Sequence, residues 1–505
     1  MGLPSYEISL EPAVAVIKLH TKSGKRENTS VVGVSAGTYG TSDIYTYKSE
    51  ELDKYSYFIY ANHKSLKREP IDHLTSTLSR DKDTTDVYAQ LSTDNSRFEI
   101  QAIKGTMDNF MGASWDITPK DSSTDFGYLY TGYSYNSPDK DLKVSINYSY
   151  LHDEYYDSSN TPLGILPIAT PPFYIPVYSI SVKTHEHLLD ARITKKYSIG
   201  ETTYLLGLSN RLKNFVYDEY KFNNIDLPIN SDYDIEDIVS LFGEMDYSLN
   251  DKNRLILSVN LTKYFENAGV KNETIYGTRL GHIYSSGNFT QKSFIFSGKF
   301  RPSPYMLLME SIVNPNSNGI RSEGAYAIST ESYWRYDNTD ISLLLSRTGI
   351  KDTIYFDGLK YLNSEGKGTY DSISFKDVYR FNSTDNIEFG TWVIFEDNGK
   401  LSQDRYNNKY GGHVALYKKL GKLDTYNSLT YIDGYGSEDA GWNYNATLTY
   451  TYSKNLSLFI KGENLFKKAL KTDYYRVNPL TNQKITLDNI SVFDRTILVG
   501  MEYKF

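Results

Sequence analysis

Two histidines two residues apart are the first place to look for chemistry: His185 and His187 in THEH. On a strand, residues two apart share a face about 7 Å from one another, which is how a two-ligand start to a metal site is made. Sequence order places no third ligand beside them. The competing reading is a pair of interfacial histidines in an aromatic belt. A second candidate is PLGILPIATPPFYIPVY, where Pro162, Pro167, Pro171, Pro172 and Pro176 supply five of the chain's 15 prolines. A stiff apolar loop loses little entropy on binding, so Phe173, Tyr174 and Tyr178 form a candidate ligand platform. The alternative is a loop folded back onto the protein's own rim. Just upstream, Asp153, Glu154 and Asp157 read either as a divalent-cation cluster or as solvated loop carboxylates. No Ser/His/Asp order, Gly-rich phosphate loop or HExxH helix is found, so neither catalysis nor a cofactor is expected.

Composition narrows what can position these residues. The 505-residue chain holds 47 tyrosines and 14% aromatics, yet only 39% of its residues are hydrophobic. Its mean hydropathy is −0.49. That is too polar for a helical membrane protein and too aromatic for a disordered chain. No apolar run reaches the roughly 18 residues of a spanning helix. With no cysteine, disulfides and thiol chemistry are excluded. The net charge is −8 and the basic residues are interspersed with acids, which argues against nucleic acid as a partner. The opening residues MGLPSYEISLEPAV show no basic-then-apolar secretory pattern.

Period two is the dominant signal. In DLKVSINYSY, Leu142, Val144, Ile146, Tyr148 and Tyr150 alternate with polar residues. WNYNATLTYTY repeats this with Trp442, Tyr444, Ala446, Leu448, Tyr450 and Tyr452, and further cases are Leu255–Leu257–Val259–Leu261 and Leu456–Leu458–Ile460. The last residues do it again: Ile497, Val499, Met501, Tyr503 and Phe505 share one face. A soluble sandwich or propeller also alternates. These runs, however, extend over about 10 to 12 residues, long enough to cross a bilayer at a tilt, and aromatics gather at their ends.

Short polar turns (SEELDK, STDNSR, NSPDKD, YSIGET, SLNDKN, RPSP, YDNTD, NSTDN, LGKL, YSKN) alternate with long segments at 64–83, 106–124, 153–177, 214–234, 265–291, 397–410 and 467–492. The expectation is all-β: an antiparallel transmembrane barrel of about 22 strands over residues 28–505, with short periplasmic turns and long extracellular loops. Closure leaves no unpaired edge in lipid. Residues 255–261 should then face lipid with Leu257 and the lumen with Ser258, so an arginine should be tolerated better at 258 than at 257.

These elements resemble TonB-dependent outer-membrane receptors. The "ENLF" element Glu463, Asn464, Leu465, Phe466 and the terminal strand Arg495 to Phe505 are similar to that family's C-terminal end. Phe300, Arg301, Pro302, Ser303, then Asn314, Pro315, Glu323, and finally Ile350, Lys351, Asp352 are similar to its central elements. AVAVIKLHTKSGK at 13–25 resembles the closing strand of the plug domain, making residues 1–27 a plug remnant or linker.

The resemblance implies a monomeric, multi-pass barrel in the Gram-negative outer membrane that takes up a scarce bulky nutrient: a ferric siderophore, cobalamin or another metal complex. It implies as partners lipid, lipopolysaccharide and the barrel assembly machinery, with Tyr503 and Phe505 as the assembly signal. The TonB box and most of the plug would lie upstream of the residues given, so the TonB system engages only if a plug is supplied. No histidine lies between the "FRPS" and "NP" elements, which disfavours haem. A passive wide pore or a structural barrel is the alternative.

Overall fold

The computed structural model describes residues 28–73, 76–110, 120–160, 162–167, 174–226, 235–266, 272–302, 320–356, 361–397, 408–434, 438–477, 484–491 and 493–505. Within them the chain forms one closed antiparallel barrel of 22 strands. The first seven are β1 (Ser30–Gly37), β2 (Ser42–Glu51), β3 (Ser56–Leu66), β4 (Lys82–Ser92), β5 (Ser96–Asp108), β6 (Asp121–Asn136) and β7 (Leu142–Ser158). Then come β8 (Ser179–Ile199), β9 (Thr202–Phe222), β10 (Ile235–Asn250), β11 (Asn253–Glu266), β12 (Glu273–Ser286), β13 (Phe289–Phe300), β14 (Glu323–Arg335) and β15 (Thr339–Lys351). The ring is completed by β16 (Lys367–Arg380), β17 (Asn386–Asp397), β18 (Lys409–Leu420), β19 (Leu423–Ile432), β20 (Gly441–Thr451), β21 (Leu456–Glu463) and β22 (Thr496–Lys504). The two-residue segment Ile225–Asp226 also belongs to the sheet but pairs only with the end of β9. Each strand pairs with its sequence neighbour, and β1 pairs with β22 from Val31↔Lys504 to Gly37↔Leu498. The terminal strand is therefore the seam that closes the cylinder. Among the described residues the one helical piece is the turn Thr38–Gly40.

Two rims result. On one, ten turns of two to five residues join β2 to β3 and every second pair thereafter. Local chemistry makes them. Gly287 and Gly421 sit at φ +55° and +61°, the left-handed geometry that a two-residue hairpin demands. At the β16–β17 turn, Asn382 Oδ1 accepts the backbone N–H groups of Thr384 and Asp385, both at 2.8 Å, as Asx turns do. The opposite rim carries connections of four to 32 residues.

Period two separates the faces as expected. On β11, Leu257, Val259 and Leu261 are 41–51% exposed, while Ser258, Asn260 and Thr262 between them are at most 5% exposed. Most of the apolar residues named above on β20, β21 and β22 likewise point outward: Leu448, Tyr450, Leu458, Ile460, Ile497, Val499 and Met501 are exposed, as is Tyr452 just past β20. Aromatic rings close the outward band at both ends. On the turn rim Tyr503 and Phe505 meet edge to face at 4.9 Å, and on the loop rim Tyr410, Tyr431 and Trp442 follow one another at 5.7 and 4.9 Å.

Three expectations need correction. Residues 265–291 are not one long loop, because they contain β12 and its two-residue turn to β13. Thr278 and His282 on the outward face and Arg279 on the inward face dilute the alternation there. RPSP is no short turn either; it opens the long connection from β13 to β14, with Pro302 two residues past the end of β13. Asp153, Glu154 and Asp157 are not solvated loop carboxylates, since β7 runs on to Ser158. Asp157 is fully buried, and Glu154 pairs with Lys183 at 2.8 Å.

Candidate functional site

The inner wall is polar, and its groups are tied to one another. On β12, Arg279 donates to Glu244 Oε2 of β10 at 2.5 Å and to Ser258 Oγ of β11 at 2.9 Å, with its guanidinium 5.5 Å from the Phe294 ring. Ser258 in turn donates to Glu244 at 2.8 Å. Ser258 is therefore a buried link in a three-strand network, and an arginine there would meet Arg279. Ser258→Arg is thus expected to cost more than the alternation alone suggests.

Further round the wall, Tyr88 donates to Glu99 at 2.8 Å and Tyr130 to Asn147 at 3.0 Å, each between neighbouring strands. Tyr45 reaches Glu502 across the seam at 2.7 Å. Beneath these hydroxyls the rings of Tyr47, Phe58 and Tyr88 step along the wall at 5.6 and 6.0 Å. Such a wall offers hydrogen bonds and charge to a passing solute. Sequence reasoning missed it because each strand alone shows only a polar face, and register brings the partners together.

At the loop rim, distant segments are tied by buried charge. Asp494, with 2% of its side chain exposed, accepts Arg68 Nε at 2.7 Å and also pairs with Arg80. Arg80 donates to the Ser491 carbonyl at 3.0 Å and stacks 4.9 Å from Phe110. The "ENLF" residues belong to the same tie. Asn464 is 1% exposed at φ +46°. It donates to the Phe493 carbonyl at 2.6 Å and accepts the Ala469 N–H at 3.2 Å, so the last loop is stapled start to end. Phe466 stacks on Tyr444 at 4.8 Å. Lys467 pairs with Glu69 at 2.9 Å, and this contact holds the Glu69 carboxyl below its ordinary range. Arg301 of the "FRPS" element is a second anchor, donating to Glu236 at 3.3 Å and Glu273 at 2.8 Å over the Tyr264 ring at 4.8 Å.

The sequence candidates fall in different places. Phe173 lies outside the described residues. Tyr174 begins the short strand Tyr174–Val177, which pairs with Gly164–Pro167. Tyr178 is 43% exposed, and its N–H donates to Asn223 Oδ1 at 2.7 Å. Asn223 also donates to the Pro176 carbonyl at 2.7 Å, clamping this loop to the one after β9.

His185 and His187 share the outward face of β8 with Leu189 and Ile193. His187 Nδ1 lies 2.8 Å from the Tyr148 hydroxyl and its ring 5.0 Å from Tyr150, while His185 pairs with Asp218 at 2.7 Å. The register sets His152 opposite His185, a neighbour that sequence order hid. Among the described residues no group of three His, Cys, Asp or Glu is placed to hold a metal, and THEH has the surroundings of an aromatic belt. Tyr503 and Phe505 end the outward face of β22, and the Phe505 N–H donates to the Ser30 carbonyl at 2.9 Å.

A closed barrel with an apolar outer band, aromatic ends, a polar lumen and one long-looped rim defines the class of large membrane-spanning β-barrels. The particular fold is that of the TonB-dependent receptor barrel. Solved structures with it include the copper transporter OprC, at TM-score 0.72 and 12% identity over 94% of this chain and 82% of that one. The ferric yersiniabactin uptake receptor FyuA from Yersinia pestis matches at 0.70 and 11%, over 94% and 80%. The FrpB iron transporter from Neisseria meningitidis matches at 0.70 and 10%, over 95% and 82%. No family profile matches the sequence, and no curated protein does.

Proposed function

We propose that this chain is an outer-membrane receptor that takes up a bulky metal complex, a ferric siderophore being the first class to test, and that it is not an enzyme. The observation that carries the reading is the wide closed barrel, with its hydrogen-bonded tyrosines, carboxylates and arginines lining the lumen beneath one rim of long tied loops. Twenty-two strands at 4.8 Å spacing and about 40° tilt give a backbone cylinder roughly 44 Å across, wide enough for a chelate and its hydration. The neighbours' names speak of copper, iron and a ferric siderophore, so metal complexes are favoured over cobalamin. The loop after β7, with Phe173, Tyr174 and Tyr178, is the proposed capture platform. The barrel is proposed to act as a monomer, to engage TonB through a plug, and to be inserted by the assembly machinery reading Tyr503 and Phe505.

The test is titration of the folded chain with catecholate, hydroxamate and phenolate ferric siderophores and with cobalamin, followed by tryptophan fluorescence. Saturable binding of one ferric complex, weakened by Tyr178→Ala, is expected. No binding by any of them, with open conductance in a planar bilayer, would establish the passive pore instead.

A further inference from the structure

On the outward face of β12 to β17, two hollows lie one above the other. The lower, of about 700 Å³, is lined by Leu280, Ile295, Ile328, Leu345, Ile373 and Phe395. Arg347 and Asp371, paired at 3.3 Å, come next above Leu345 and Ile373 on their strands. The upper hollow, of about 300 Å³, is lined by Tyr276, Lys299, Tyr326, Lys351 and Lys367. Small residues open it. Gly324 stands opposite both Lys299 and Lys351, and Gly349 opposite Tyr326. A Cβ on Gly324 would lie 2.5 Å from the Lys351 chain, and one on Gly349 would lie 2.1 Å from the Tyr326 ring. Both side chains therefore lie flat, and the Lys367 ammonium settles 4.7 Å from the Tyr326 ring centroid.

Charge marks this hollow, because three lysines line it together. Several cations of this part of the rim have acids: Arg301 has Glu236 and Glu273, Arg321 has Asp352, and Lys409 has Glu396, whereas Lys263 rests on the Phe265 ring. Lys299, Lys351 and Lys367 share the hollow, and among the described residues that line it there is no carboxylate. Three like charges in one hollow repel unless an anion joins them. Depth fits as well, because these lysines lie where β13, β15 and β16 meet the loop rim, the level of headgroups rather than acyl chains.

We propose that the two hollows form one site for a phosphorylated, several-chained glycolipid of the outer leaflet, with phosphates on Lys299, Lys351 and Lys367 and acyl chains in the groove below. The groove crosses six strands, about 24 Å at ordinary spacing, which gives room for several chains side by side. This rests on the outer-membrane reading above, and deepens it by naming where the barrel holds its lipid.

The test uses the folded full chain in detergent. Bis-phosphorylated lipid A, its dephosphorylated form, phosphatidylglycerol and inorganic pyrophosphate are titrated separately and read by native mass spectrometry. Folding is followed by the heat-dependent gel shift, and vesicle insertion is measured before any of these ligands is added. Lys299→Ala, Lys351→Ala and Lys367→Ala should each weaken lipid A binding about fivefold, and the triple variant about 100-fold, with the gel shift unchanged. Ile328→Trp, which fills the groove and leaves the lysines, should weaken it too. Undiminished binding by the triple variant would overturn the site, as would equal affinity for dephosphorylated lipid or phosphatidylglycerol. Equal affinity for pyrophosphate would make it a free-phosphate site and overturn the glycolipid assignment. Failure to enter vesicles would instead defeat the membrane reading itself.

Discussion

The two rims of the barrel are held by different physics. The turn rim is built residue by residue: Gly287, Gly421 and Asn382 each settle a turn with groups no more than a few positions away. The loop rim is built across the whole chain: Arg68 reaches Asp494 over a separation of 426 residues. Local chemistry is enough where a strand simply reverses. Where long segments must stay ordered above a wide lumen, buried charge from remote parts of the chain holds them.

The comparison can be broken first at the seam. Deleting Phe505 should abolish insertion into the outer membrane while leaving synthesis intact, and Tyr503→Ala should do so less severely, as read by membrane fractionation. Normal outer-membrane levels of the deletion would remove assembly as the role of that residue. Next comes the contrast between rims. Asp494→Ala leaves two arginines without their shared carboxylate, one of them largely buried, and should cost about 3 to 5 kcal/mol. Asn382→Ala removes only Asx bonds at an exposed turn and should cost about 1 kcal/mol. Equal losses in denaturant titrations of folded barrel would erase the distinction.

Between the rims, Leu257→Arg should destabilise by about 2 to 4 kcal/mol on the lipid face, measured by folding into vesicles. The smallest effect is a pH dependence. Lys467 holds the Glu69 carboxyl below its ordinary range, so its contribution is present above the unfolded value. That contribution is lost as pH falls from about 4.3 through the depressed folded value. Hydrogen exchange at residues 67–70 should rise over that window, and Glu69→Gln should flatten the response.

The same contrast explains what the sequence disclosed. Outward faces were readable because lipid demands apolar side chains at every second position, as on β11, β20 and β22. β12 escaped because Thr278, Arg279 and His282 interrupt that pattern. The Ser258–Glu244–Arg279 network and the Asp494 tie escaped because register and closure, which no local window contains, create them. Asn464 and Arg301 stood out by resemblance alone, and the structure supplies their reason: one staples the last loop and the other gathers three strand ends.

The central claim is that alternate residues of one strand face lipid and lumen. Because the chain has no cysteine, single cysteines at 255 to 262 can each carry a fluorophore in barrels folded into vesicles of brominated lipid. Quenching should alternate, strong at 255, 257, 259 and 261 and weak at 256, 258, 260 and 262. Uniform quenching, or none, would contradict a membrane-spanning barrel.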